Sequence, residues 1–198
     1  MVLDHELALE NVRPLRRSEY GRMVSGGIIP EDEKIELLEG ILVNMSPEGP
    51  VHAEVVSRLA ELFVMALAGR ARVRTANPFA ASDESEPEPD IALVPPGDYW
   101  SDHPMKTFLL VEVAGSSVRK DRGIKRRIYA RAGVPEYWVV NLQTRAVEVH
   151  SSPAGDDYQK IERFEAPGTL RPAAFPDIEV PLASLFPPEA GSNLTTGG

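Results

Sequence analysis

The sequence contains no cysteine, which excludes disulfide bonds, thiolate metal sites and a cysteine nucleophile. It also lacks an apolar run long enough to span a bilayer, a glycine-rich phosphate loop, a serine-nucleophile elbow and zinc-type His/Cys spacing. Residues 1–12 carry mixed charges without the apolar segment of a signal peptide, so a cytoplasmic location is expected. These absences argue against a cysteine-dependent enzyme, a P-loop enzyme, a serine hydrolase with a nucleophile elbow, a zinc protein of the His/Cys type and a protein that spans a membrane with helices.

Basic charge is also scarce. The formal net charge is −9, which argues against a generic nucleic-acid binder that depends on a basic surface. It does not exclude an enzyme that holds nucleic acid in one local basic cleft. Most of the basic residues are arginines, so the position of each lysine is informative. The five lysines are Lys34, Lys106, Lys120, Lys125 and Lys160.

Length and hydrophobic patterning predict one α/β (α+β) domain, with a mixed central β-sheet flanked by two main helices. Helical spacing of apolar residues predicts one helix over 52–68, and a second is predicted from Arg122 to Ala132 with Asp121 as its cap. We expect a flexible lead-in over 1–17, the domain over 18–186 and a disordered tail over 187–198. Strands are predicted near 41–45, 71–76, 91–94, 108–113, 136–141, 146–150 and 158–164.

Two acidic residues occupy unusual places at the ends of probable core strands. Asp90 comes directly before the apolar run 91–94, and Glu112 follows the apolar run 108–111. A buried carboxylate without a partner costs several kcal/mol or takes up a proton, and a shared divalent cation would remove that cost. The hypothesis is therefore a Mg²⁺ or Mn²⁺ site. The alternative is that both carboxylates sit in solvent at the strand ends.

Lys125 favours the metal-site hypothesis. Ile124, Ile128 and Ala132 mark the buried stripe of the second helix, and Lys125 lies at the edge of that stripe. A lysine in that position can lean over the sheet toward Glu112. The alternative is a solvated helix face, which is the usual fate of a charge run.

Two carboxylates for a metal and one ammonium group for developing charge are the parts that phosphodiester hydrolysis requires. Basic neighbours of Lys125 are predicted to contact phosphates on either side of the cleavage point. These predicted nucleic-acid contacts are Arg119, Lys120, Arg122 and Arg126.

The chain resembles the PD-(D/E)xK nucleases in Pro89-Asp90 and Glu112-Val113-Ala114, and more widely the Uma-two family of putative restriction endonucleases. This second resemblance covers roughly 18–186. Its motifs here are Glu36-Leu37-Leu38-Glu39-Gly40, the helix at His52, Glu86-Pro87-Glu88-Pro89-Asp90, Asp121-Arg122-Gly123-Ile124-Lys125 and the most specific run, Tyr129 to Trp138.

The resemblance implies a restriction-endonuclease-like core and a metal-dependent endonuclease that acts on DNA. It implies that the Val113 carbonyl joins Asp90 and Glu112 in binding Mg²⁺ or Mn²⁺, and that Glu36 is an outer acidic residue of the site. The position at which the signature has lysine is Ala114, so Lys125 is expected to take over that role. A homodimer is expected because cutting both strands benefits from two sites.

Other readings of the same residues stay open at this point. Glu36 can equally be a surface carboxylate, and His52 is expected to stabilise a helix end rather than act as a base. Tyr129 and Trp138 are expected in the core or at an interface. The whole chain can also be a non-catalytic binding or assembly module with the nuclease fold, or a metal-dependent hydrolase of small phosphate esters.

Overall fold

The centre of the fold is a six-stranded sheet. A computed structural model describes residues 12–30, 32–115 and 117–187. In these ranges strands β5 (Leu109–Ala114) and β6 (Glu136–Asn141) pair in parallel and the other neighbouring strands of the sheet are antiparallel, which confirms the predicted mixed sheet. In spatial order the strands are β3 (Arg72–Thr75), β4 (Ile91–Val94), β5 (Leu109–Ala114), β6 (Glu136–Asn141), β7 (Ala146–Ala154) and β8 (Asp157–Glu165).

Helices cover both faces of the sheet. Helix α2 (Pro50–Leu67) lies on one face and begins with proline, whose missing N–H costs nothing in the first turn. On the other face α3 (Val118–Lys120), a π-helical turn (Asp121–Lys125) and α4 (Arg126–Arg131) follow one another without a break. None of the helices in the described ranges is long and apolar enough to cross a membrane.

The predicted start of the second helix is wrong. The helix begins at Val118, and Asp121 lies inside it rather than capping it. The physical reason is that Ser117 precedes the helix and donates its hydroxyl to the Asp121 side chain, at 2.7 Å. The carboxylate therefore projects from the second turn of the helix.

Alternation along β5 decides which side chains face which helix. Val111 and Val113 pack into the α2 core with Leu59 and Phe63. Leu110 and Ala114 pack on the α4 face with residues such as Tyr129. Glu112 lies between Val111 and Val113, so its side chain also projects toward α4. Both faces are covered, which is why every residue of β5 and β6 is buried.

The N-terminal part adds α1 (Arg17–Ser25) and a hairpin of β1 (Ile35–Leu38) and β2 (Ile41–Asn44). The hairpin turn uses Glu39 and Gly40, both with positive φ, as a two-residue turn requires. An isolated bridge between Leu37 and Glu86 fixes β1 beside the segment that leads to β4.

The C-terminal end of the expected flexible lead-in makes backbone hydrogen bonds to two other segments. The N–H groups of Leu15 and Arg17 donate to the carbonyls of Gly40 and Asp83, at 3.0 and 2.6 Å. Residues 1–11 of the predicted lead-in and 188–198 of the predicted tail lie outside the described residues. The last elements of the described chain are β9 (Thr169–Leu170), β10 (Val180–Pro181) and α5 (Leu182–Leu185).

Candidate active site

Asp90 stands immediately before β4, at the point where β4 and β5 cease to pair. The last pair in that register is Ile91 with Val111, so the N–H of Val113 extends past the end of β4. Asp90 Oδ2 accepts a hydrogen bond from that N–H at 2.6 Å. Because the N–H and C=O of one strand residue point to the same side, the Val113 carbonyl is directed to the same edge as Asp90.

Glu112 and Lys125 form a buried ion pair. Glu112 is 5% exposed and Lys125 is 2% exposed. Lys125 Nζ lies 2.8 Å from Glu112 Oε1, and the hydroxyl of Tyr129 donates to the same oxygen at 2.7 Å. Lys125 therefore points over the sheet toward Glu112 rather than into solvent. Tyr129 is a core residue whose hydroxyl nevertheless belongs to this site, a role that sequence reasoning missed.

Glu36 on β1 is completely buried, so the alternative of a surface carboxylate is wrong. Its Oε2 lies 3.0 Å from Lys125 Nζ and its Oε1 lies 2.6 Å from Lys120 Nζ. Both oxygens thus contact an ammonium group. In this arrangement Glu36 fixes the positions of two lysines and presents no unoccupied oxygen to a metal ion.

The charges of this network depend on burial. Burial lowers the pKa of Lys125, but the surrounding carboxylates, led by Glu112, outweigh it and the net pKa is raised. For Glu36 burial raises the pKa, and Lys125 and Lys120 more than offset this, so its net pKa is lowered. Burial raises the pKa of Glu112 despite Lys125. We take Lys125 as firmly charged; a cation beside Glu112 would favour its ionised form.

Asp121 is a further carboxylate of the site. It is 1% exposed, and its Oδ1 atom is buried without a hydrogen-bond partner among the described residues. Burial is the main reason that its pKa is raised, against the opposing charge of Lys125. The π-helical turn places Asp121 and Lys125 at the same cavity, and such turns occur frequently at functional sites.

His52 and Glu48 approach Asp90 from the start of α2. His52 Nε2 lies 3.2 Å from Asp90 Oδ2, and His52 Nδ1 lies 3.7 Å from Glu48 Oε2. The hydrogen bond to Asp90 is the main reason that the pKa of His52 is raised. Ligand atoms of these three residues all lie within 4.8 Å of one another. Glu48 comes from a proline-flanked loop with no local signal, and only the tertiary fold reveals it.

One cavity of about 290 Å³ is lined by most of these groups, but not by Glu36 or Tyr129: Glu48, His52, Asp90, Glu112, Val113, Lys120, Asp121 and Lys125. Asp90, Glu112 and the Val113 carbonyl supply the oxygen ligands that Mg²⁺ and Mn²⁺ prefer. Asp121 also lines this cavity, and its unpartnered Oδ1 would gain from a nearby cation or its water. The donor set therefore fits a hard divalent cation. Glu112 stands apart from the compact group of three ligand atoms around Asp90, and its Oε1 is engaged by Lys125.

The four residues predicted to contact phosphates have different surroundings. Arg119 is exposed, and Lys120 is bound to Glu36. Arg122 makes two hydrogen bonds to Glu148, at 2.8 and 2.5 Å. Arg126 lies 3.2 Å from an oxygen of Asp157. Arg119 thus remains the most available of the four, while Arg122 and Arg126 would have to share their charge with a carboxylate.

Comparison with known proteins agrees with this geometry. Residues 17–183 match the Uma2 family, described as "Putative restriction endonuclease". The crystal structure of a putative nuclease belonging to DUF820 from Anabaena variabilis has a similar fold, with a TM-score of 0.69. The alignment covers 87% of this chain and 97% of that chain, and the two sequences are 15% identical. No curated protein matches the sequence significantly. The chain belongs to the Uma2 family, as its motifs predict.

Proposed function

We propose that this protein is an endonuclease that hydrolyses phosphodiester bonds in DNA with the help of Mg²⁺ or Mn²⁺. The observation that carries the proposal is the position of the Lys125 ammonium group, 2.8 Å from Glu112. A helix supplies the charge that the PD-(D/E)xK signature places two residues after the glutamate, where this chain has the buried Ala114. The family and the nuclease fold support the same reaction class.

Asp90, Glu112 and the Val113 carbonyl are the residues that would hold the cation. When bound, such an ion neutralises phosphate charge and lowers the pKa of water. His52 donates its Nε2 hydrogen to Asp90 Oδ2 and so orients that carboxylate. Lys125 orients the attacking water or donates to the phosphate oxygens as their charge increases.

The remaining residues position these groups. Glu36 holds the Lys125 and Lys120 ammonium groups on one side of the cavity. Arg119 lies one residue before Lys120 and is exposed, so it would contact a phosphate beside the scissile bond. Arg122 and Arg126 contribute positive potential at longer range. We also propose a two-fold dimer as the unit that cuts both strands.

Nicking of a supercoiled plasmid with and without Mg²⁺ tests the proposal. Asp90→Asn and Lys125→Met should each lower the rate by about 100-fold or more, the usual cost of losing one electrostatic contact to the transition state. Lys160→Met is the matched control, because Lys160 is exposed on β8 and pairs with Glu162. Nicking that is the same in folded Asp90→Asn, or that does not require a divalent cation, would refute the assignment.

One observation favours a second candidate, a non-catalytic binding or assembly module with the same fold. The Lys125 ammonium group neutralises the Glu36 carboxylate directly, so this pair does not require a metal ion. Calorimetric titration with Mn²⁺ distinguishes the candidates: the nuclease binds at a saturable site that Asp90→Asn removes, and the module does not. Hydrolysis of nucleotides without any cleavage of polymers would indicate a phosphate-ester hydrolase instead.

A further inference from the structure

Two arginines on the edge strand β3 share one aromatic ring. The guanidinium carbons of Arg72 and Arg74 lie 5.8 and 5.6 Å from the centre of the Tyr99 ring. Tyr99 is itself fixed, because its hydroxyl donates to the Pro95 carbonyl at 2.8 Å. The ring therefore holds two positive charges side by side at the margin of the sheet.

These two arginines differ from most others in the chain. In the ranges that the structure describes, ten arginines lie within 4.0 Å of a carboxylate, while Arg72 and Arg74 do not. Burial, together with the neighbouring Arg72, lowers the pKa of Arg74. Among the described residues the buried Arg74 Nε has no hydrogen-bond partner, and Nη2 donates to the neutral Asn77 side chain at 3.2 Å. Two unpaired like charges in a protein of net charge −9 are a local electrostatic cost that a bound anion would relieve.

An exposed indole adjoins this pair. Trp100 follows Tyr99 in the loop between β4 and β5 and is 93% exposed. The nearest acidic neighbour in sequence, Asp98, accepts a hydrogen bond from the Trp100 N–H at 2.9 Å, so that carboxylate is turned toward the backbone. Trp100 is thus the next residue after the ring on which both guanidinium groups lie; its own cavity also contains Arg17 and Asp102, which pair with each other.

Arg72 and Arg74 lie on the same face of the sheet as the candidate active site. Arg74 pairs in register with Ala92 and Arg72 with Val94, and both partners pack into the α4-side core that faces Glu112. Ala92 is two residues from Asp90 along β4. With about 3.3 Å per residue and about 4.8 Å between strands, the Cα atom of Arg74 lies about 8 Å from that of Asp90.

We propose that Arg72, Arg74 and Trp100 bind a single-stranded stretch of DNA that leads away from the cleavage site. This inference rests on the proposed function and names a feature of its substrate. The two guanidinium groups contact successive phosphates, and the indole stacks on a base. Bases in a duplex already stack on their neighbours, so an indole at a loop tip meets a free base face where the strand is unpaired.

Intrinsic fluorescence gives a direct test, because the chain has two tryptophans and the other one, Trp138, is fully buried. A thymidine oligonucleotide titrated in EDTA should quench the fluorescence of Trp100, and a duplex of equal length should quench it less. The EDTA makes the measurement independent of cleavage. Quenching by acrylamide in the free protein checks that Trp100 is open to solvent and is not covered by a second copy of the chain.

Variants identify the contacts through the affinity for a labelled oligonucleotide. Trp100→Ala should weaken binding about 5- to 150-fold, the range for one stacked base. The double variant Arg72→Gln/Arg74→Gln should lower the salt slope of log K by about 1.4, or 0.7 for each phosphate lost. Arg163→Gln is the control, since Arg163 lies on the opposite edge strand β8 and pairs with Glu165; it should bind like the native protein.

The results separate this inference from the proposed function. Quenching of Trp100 without nicking of the plasmid would support the contact with single-stranded DNA and refute the proposed nuclease activity. Three results would refute the single-strand contact. The first is nicking of the plasmid without quenching of Trp100, and the second is an equal loss of oligonucleotide affinity in Arg163→Gln. The third is tighter binding of the duplex than of the single strand, with an affinity that Trp100→Ala does not change. A dimer that covers Trp100 would also refute it. Circular dichroism of each variant confirms folding. Because Trp100 is exposed, Trp100→Ala should fold and can test the proposal even if the arginine variant unfolds.

Discussion

Replacing Lys125 by methionine should destabilise the fold by about 3–5 kcal/mol, the cost of removing one partner from a buried ion pair. Methionine is nearly as long as the lysine stem, so the loss is electrostatic and not a cavity. In the variant, Glu112 keeps Tyr129 as its donor, and Glu36 keeps Lys120. The Glu112 carboxylate then has no cation in contact.

Thermal unfolding measures this loss. A domain of this size shifts by about 2–4 °C per kcal/mol, so the midpoint should fall by about 6–20 °C. The exposed Lys160→Met should stay within about 0.5 kcal/mol of the native protein. Urea titration at a fixed pH gives the same difference in the free energy of unfolding, and an unchanged m-value shows that the unfolded state is the same.

A second substitution tests the cause. Adding Glu112→Gln to Lys125→Met removes the unpaired carboxylate and keeps its shape, so the double variant should recover about half of the lost stability or more. Two results would show that the two groups are not a coupled buried pair. One is a loss of less than about 1 kcal/mol in the free energy of unfolding for Lys125→Met. The other is a double variant whose loss equals the sum of the losses of the two single variants. The assignment of Lys125 to the site would then lose its main support.

Two further predictions concern other parts of the fold. Burial lowers the pKa of His150 to about 4, below the ordinary value of about 6.5, so stability should fall by up to about 3 kcal/mol as the pH drops from 6.5 to 4. His150→Phe should flatten that part of a urea-midpoint profile. Gly40 has φ +76, and an added Cβ would lie 2.2 Å from the Cβ of Pro14, whereas Gly155 has φ +59 and open space. Gly40→Ala should therefore lower the unfolding midpoint in urea clearly more than Gly155→Ala, and equal effects would mean that the chain near Pro14 gives way.

Local patterns were enough to single out three residues of the candidate site. Asp90 and Glu112 could be found because a carboxylate at the end of an apolar strand is unusual, and Lys125 because it borders the apolar stripe of a helix. Each of these signals spans only a few residues. The structure brings Lys125 and Glu112 together as that pattern requires.

Other parts depend on contacts between distant segments. Glu48 reaches the site because its loop leads into α2, and Glu36 because the bridge between Leu37 and Glu86 joins positions 49 residues apart. Asp121 was predicted as a cap because a helix usually begins after an aspartate. Its side chain is instead buried, and the sequence shows no sign of the π-helical turn that carries it.

The location of Lys125 on a helix, apart from the strand of Glu112, makes the site conditional on the completed fold. A chain whose helix has not yet docked would have the strand-borne oxygens without the ammonium group. Because Lys125 supplies the positive charge, position 114 does not need a lysine and holds an alanine that is fully buried in the core. A site built in this way is incomplete while the chain is being synthesised or while this helix is locally unfolded.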